Sequence, residues 1–133
     1  MRLVRRILSG VAGLGALAVI GLAVYLGVAP PELLRVGDGY AAKIVCSNVF
    51  LAHRDANDAL SVDVQAPGNP LLRLVSVRVD QAASTVTTQM LGYIAPQTAV
   101  FRPGYGCTLI PDNRIDALAK LPAPPAPPAR VQA

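Results

Sequence analysis

No charged residue stands between Arg6 and Glu32, and the basic opening Met1-Arg2-Leu3-Val4-Arg5-Arg6 precedes that run. Residues 7–29 number 23, which as a helix reach about 34 Å at 1.5 Å per residue. A hydrocarbon core of about 30 Å needs roughly 20 apolar residues, so this segment is long enough to cross with some tilt. Arginines stay on the cytoplasmic side, which predicts a cytoplasmic segment at 1–6, an anchor at 7–29 and the rest of the chain outside. The rival is a cleaved signal peptide, whose apolar region runs roughly 7–15 residues and ends in a small-x-small site. The only such site here, Gly27-Val28-Ala29, is followed at once by Pro30-Pro31, and proline just after the cut usually blocks cleavage. An uncleaved single-pass anchor in the inner (cytoplasmic) membrane is therefore expected, with the bulk of the chain periplasmic.

Composition agrees once it is divided. The net charge of +4 comes largely from Arg2, Arg5 and Arg6; from Pro30 onward nine Lys/Arg face eight Asp/Glu. The basic balance therefore reports topology, and without a basic patch interleaved with aromatics nucleic acid is not an expected partner. The outer part has room for one small domain, 36–115, reached through a linker at 30–35 and followed by a Pro-rich tail at 116–133. A domain of that size buries only a modest core.

The two cysteines, Cys46 and Cys107, lie 61 positions apart. Outside the cytoplasm two cysteines in one small domain most often pair; two buried free thiols are the alternative. A catalytic cysteine is disfavoured, because His53 is the only histidine and nothing near either cysteine lowers a thiol pKa. One His and two Cys also fall short of a closed zinc site. The reading is a disulfide staple, with no metal and no cofactor.

The fold class expected is α+β: the anchor helix, then one helix packed on a short antiparallel β-meander. Tyr40, Ile44, Val45 and Val49 recur at helical spacing and predict a helix over 37–51, with Cys46 near its middle. Residues 53–63 read as a polar loop or short turn of helix, and Pro67-Gly68-Asn69-Pro70 is a breaker. Strands are predicted at 72–80 and 85–91, joined by Gln81-Ala82-Ala83-Ser84, with a third at 98–101. Cys107 falls just after this last strand. The Pro-Ala-Pro-Pro repeat from Leu121 reads as a polyproline II spacer.

Catalytic signatures are missing. No Gly-x-Ser-x-Gly elbow surrounds Ser47, Ser61, Ser76 or Ser84, no serine is followed by Lys three positions on, and there is no Gly-rich phosphate loop. Asp55 and Asp58 lie at a spacing that fits one face of a helical turn, yet a carboxylate pair in a polar loop is usually only solvated. No catalytic, cofactor-binding or metal residue is assigned; the residues singled out are the disulfide partners Cys46 and Cys107.

One resemblance goes further. The segment Gly39-Tyr40-Ala41-Ala42-Lys43-Ile44-Val45-Cys46-Ser47-Asn48-Val49-Phe50, followed by Arg54-Asp55, resembles the opening of bacterial β-lactamase-related serine hydrolases of the 6-aminohexanoate-dimer-hydrolase-like group. The matching stretches continue through Val79-Asp80, Thr85-Val86-Thr87 and Ala99-Val100-Phe101-Arg102-Pro103-Gly104-Tyr105-Gly106-Cys107-Thr108-Leu109. Together they cover 36–109. The resemblance implies a region that precedes a catalytic domain of the penicillin-binding-protein type, with a proline-rich connection leading onward. Such a domain forms an acyl-enzyme through a Ser-x-x-Lys nucleophile and a Tyr-x-Asn-like second element. Neither has a counterpart here: Tyr40-Ala41-Ala42, Tyr93-Ile94-Ala95 and Tyr105-Gly106-Cys107 lack the Asn, so no catalytic role is carried over.

The function expected is that of an anchor and accessory region for a serine hydrolase acting on amide, ester or β-lactam bonds, inert alone. Its expected partners are the lipid bilayer and a catalytic domain, joined in cis or as a split product. The alternative is a stand-alone single-pass envelope protein that binds a partner without catalysis.

Overall fold

The computed structural model describes residues 2–110 and Arg114. Helix α1, Arg2–Val28, carries the apolar run. Its stretch Leu3–Val28 is long and apolar enough to cross a membrane. Between residues 3 and 28 only Ala23 and Leu26 are less than fully exposed. Ala29, Pro30 and Pro31 follow, and helix α2, Glu32–Phe50, begins directly after Pro31 with Glu32 in its first turn. An acidic residue there complements the positive end of the helix dipole.

Helix α2 starts earlier than the expected 37–51, so most of the predicted linker at 30–35 is helical. Its buried positions, Asp38, Ala41, Ala42, Val45, Cys46 and Val49, repeat at three and four residues and form one stripe. Tyr40 and Ile44, read from sequence as core, sit beside that stripe, half-exposed and partly buried. The small side chains of Gly39, Ala41 and Ala42 set the helix close to the sheet beneath it. A Cβ added at Gly39 would approach Leu109 Cδ1 to 3.3 Å.

The sheet is an antiparallel meander in the order β1-β2-β3-β4: Val75–Asp80, Thr85–Met90, Ile94–Arg102 and Gly106–Ile110. Val75, Val77 and Val79 face α2 from β1, as alternation predicts. They join Val86 and Met90 of β2, Ile94 and Ala99 of β3 and Cys107 of β4 in one core. The architecture is α+β.

Three strand boundaries differ from the sequence reading. Residues 70–74 do not extend the first strand but form a 3-10 turn, Pro70–Leu74, with Pro70 in its first turn and Leu71 N–H donating to Asn69 Oδ1. The third strand is nine residues long and runs through Pro96. Thr88 pairs with Gln97 and Met90 with Ile94, so β3 carries one extra residue and Pro96 falls within a bulge. Cys107 does not follow the last strand; it lies inside a fourth, opposite Phe101.

Between α2 and the sheet, residues 53–65 are more ordered than a loop. Asp55 caps helix α3, Ala56–Ala59, by accepting from the Asn57 and Asp58 amides. A π-helical turn, Leu60–Gln65, continues it and buries Leu60 and Val64. The predicted polyproline spacer and the rest of 116–133 lie outside the described residues.

Candidate functional site

The disulfide predicted from sequence is present: Cys46 of α2 and Cys107 of β4 are bonded, with Cα atoms 6.0 Å apart. Both sulfurs lie in the core, so the bond ties the middle of the helix to the last strand. Phe50 stacks on Phe101 at 5.5 Å between ring centroids, at the end of the sheet farthest from α1. Together these contacts fix one end of α2 rigidly on β3 and β4.

The other end of α2 is different. Leu33, Leu34, Val36, Gly37 and Tyr40 form one wall of a groove, with Leu71, Leu72 and Met90 opposite. The groove has a volume of about 290 Å³, close to the lower end of the roughly 300–1,000 Å³ typical of ligand sites. Leu33 and Val36 stand 71% and 61% exposed at its mouth. Asn69 and the hydroxyl of Tyr40 are the polar side-chain groups in its lining. The groove offers chiefly apolar surface and shape.

Asp38 is the one fully buried ionisable group on α2. Neither carboxylate oxygen has a hydrogen-bond partner. Burial pushes its pKa from 3.8 up to about 7, and the Met90 backbone amide, near the carboxylate but outside hydrogen-bond geometry, offsets a part of that rise. Thr88 Oγ1 donates to the Asp38 backbone carbonyl at 2.6 Å, fixing the helix over β2 without reaching the carboxylate. Sequence reasoning passed over Asp38, and its place on the apolar stripe with Ala41, Ala42 and Val45 was the signal available.

The residues weighed for chemistry are placed elsewhere. Asp55 is spent on capping α3. Asp58 Oδ2 accepts from Arg54 Nη2 at 2.7 Å, while Arg54 Nη1 reaches Asp63 Oδ2 at 2.5 Å and Asn48 Oδ1 at 2.9 Å. The Asp58 and then the Asp63 hydrogen bonds hold the Arg54 guanidinium above its already high pKa. Arg54 thus clamps α3 and the π-turn onto α2, and Asp55 and Asp58 do not form an acid/base pair. His53 sits exposed in a left-handed backbone conformation just past α2. Among the described residues no cluster of three or more His, Cys, Asp or Glu is placed to hold a metal.

The arrangement offers a surface for binding. A helix able to span a membrane leads through three residues into a stapled domain whose nearest lateral feature is an apolar groove. No family model matches the chain, and neither the curated proteins nor the solved structures yield a match.

Proposed function

We propose that the chain is a single-pass inner-membrane anchor bearing a periplasmic accessory domain, and that it serves a β-lactamase-type serine hydrolase. The chain positions and partly covers a catalytic domain that acts on amide, ester or β-lactam bonds, joined in cis or as a split product. The chemistry belongs to that domain. The observation carrying this reading is the apolar groove along the first half of α2, with Leu33 and Val36 exposed at its mouth. Exposed apolar surface of this kind marks interaction sites on small domains. Arg2, Arg5 and Arg6 ahead of the apolar run support an N-terminus in the cytoplasm. The Cys46–Cys107 bond supports an oxidising location for the domain. The class of the partner comes from the sequence resemblance over 36–109.

A second reading is favoured by the closed core with its disulfide: a stand-alone envelope protein that binds a non-enzymatic partner. One experiment separates the two. Native membranes are solubilised in mild detergent, the chain is captured with an antibody against residues 72–101, and the eluate is treated with fluorescent penicillin or fluorophosphonate. The hydrolase reading expects a covalently labelled serine, acylated by the penicillin or phosphonylated by the fluorophosphonate, either on the antibody-reactive polypeptide itself or on a companion lost with Val36→Asp. Recovery of a 13.8 kDa chain with no labelled polypeptide overturns it in favour of the second reading.

A further inference from the structure

The end of the sheet nearest α1 is built from the start of β1, the turn between β2 and β3, and the start of β3. Tyr93 in that turn lays its ring on α1: a Cβ added at Gly27 would meet ring carbons at 3.4 and 3.5 Å. Its hydroxyl donates a long hydrogen bond, 3.4 Å, to the Ala23 carbonyl. Ala23 and Leu26 are the two α1 side chains that the rest of the protein partly covers. The domain therefore docks along the last two turns of the membrane helix and does not begin beyond them.

Depth follows from length. Leu3–Val28 counts 26 residues, about 39 Å of helix, against the roughly 20 residues that a hydrocarbon core requires. With Arg5 and Arg6 held among the headgroups of one leaflet, 20 residues counted from Ile7 end at Leu26. Ala23 to Gly27 then straddle the edge of the hydrocarbon, and Tyr93 lies beside them at the same depth.

The neighbouring side chains suit that layer. Leu91 is 56% and Tyr93 48% exposed, and Leu74, joined to the turn by a 2.9 Å hydrogen bond from Leu91 N–H to its carbonyl, is exposed as well. Residues 81–101 contain no charged side chain, so the tip of the β2–β3 hairpin can approach lipid without desolvating an ion, Arg102 lying at the far end of β3. The nearest cations are Arg73, one residue before Leu74, and Arg35, which borders the same depression as Gly27, Val28 and Pro96. Aromatic rings at the interface with arginines beside the phosphates is the usual division of labour at a membrane surface.

We infer that Leu74, Leu91 and Tyr93 are seated in the interfacial layer of the bilayer, so that the lipid surface is a second binding partner of the folded domain. This surface is distinct from the groove between Val36, Tyr40 and Leu71, and the inference rests on α1 crossing the membrane. The turn geometry serves it: Leu91 and Gly92 both adopt left-handed backbone, φ 49° and 82°, which turns the two flanking apolar side chains at the tip.

The test uses the full chain, which contains no tryptophan, in vesicles of phosphatidylcholine carrying bromine near the headgroup end of its acyl chains. Tyr25→Trp in α1 reports the anchor, Leu91→Trp and Leu74→Trp report the proposed seat, and Ala83→Trp at the far end of the sheet serves as reference. A thiol count of zero shows that each variant holds its native disulfide. Expected are strong quenching and blue-shifted emission for Tyr25→Trp, Leu91→Trp and Leu74→Trp, with Ala83→Trp unquenched and water-like. Quenching of Tyr25→Trp alone overturns the inference and leaves the anchor standing. Loss of quenching at Tyr25→Trp removes the anchor, and the inference with it.

Discussion

Replacing Asp38 by asparagine should remove a pH-dependent weakness built into α2. The carboxylate is buried, has no hydrogen-bond partner, and titrates at about 7 in the folded protein against an ordinary value of 3.8. Between those values the folded state holds a proton that the unfolded chain has released, so folding takes up a proton and stability falls as pH rises. The loss begins near pH 4, is complete just above pH 7, and is flat beyond. At about 1.4 kcal/mol per unit of pKa difference, the shift amounts to about 4 kcal/mol by pH 8. That is a large share of the roughly 5–15 kcal/mol that holds a typical domain folded. Asparagine keeps the shape and cannot ionise. Urea unfolding of the full chain in detergent micelles, followed by tyrosine fluorescence, gives the stabilities of both proteins at pH 5 and pH 8. The difference between variant and wild type should swing toward the variant by a few kcal/mol from the lower to the higher pH. An equal difference at both pH values would refute the argument, because it would mean that Asp38 is solvated or paired when ionised.

Two further outcomes concern the staple and the packing. Cys46→Ala with Cys107→Ala, which opens a loop spanning 61 positions, should lower stability by about 4 kcal/mol on the chain-entropy estimate. The same urea titration reads this, with reductant on the wild type as a second route to the same loss. Gly68→Ala should be far worse than Gly39→Ala. The new methyl at 68 would overlap the Val64 carbonyl oxygen, a backbone atom that cannot step aside, and costs about 1–3 kcal/mol. At 39 the neighbour is the tip of Leu109 at 3.3 Å, and a helix gains about 0.5–1 kcal/mol on exchanging Gly for Ala. The two effects nearly cancel, so similar melting temperatures for the two variants would contradict this packing.

Local patterns were readable where they were also decisive. The uncharged run between Arg6 and Glu32 marks α1, and the alternation of Val75, Val77 and Val79 marks the buried face of β1. The pairing of Cys46 with Cys107 followed from compartment and size. What sequence reading missed depends on partners distant in the chain. The early start of α2 was obscured by Gly37 and Gly39, which weaken a helix alone but permit its close approach to Leu109 and Leu72. The third strand is expected only over 98–101, yet it begins at Ile94: Pro96 withholds a ladder donor, and the bulge opposite β2 absorbs it. Strand β4 is only five residues and opens with glycine, so its existence rests on pairing with β3 and on the bond through Cys107. The groove is hardest of all to foresee, since its two walls come from α2 and from the 3-10 turn some thirty positions later.

The connection between Val28 and Glu32 has a further meaning for anything that meets this domain. Ala29, Pro30 and Pro31 extend to about 10 Å at most, and both prolines fix their φ. With α1 in a bilayer, as proposed, so short a connection would deny the domain height above the lipid and free rotation on its stalk. Its groove would then move laterally with the anchor at nearly constant elevation. On that footing a partner already travelling in or on the same membrane would need only a planar search to reach the domain.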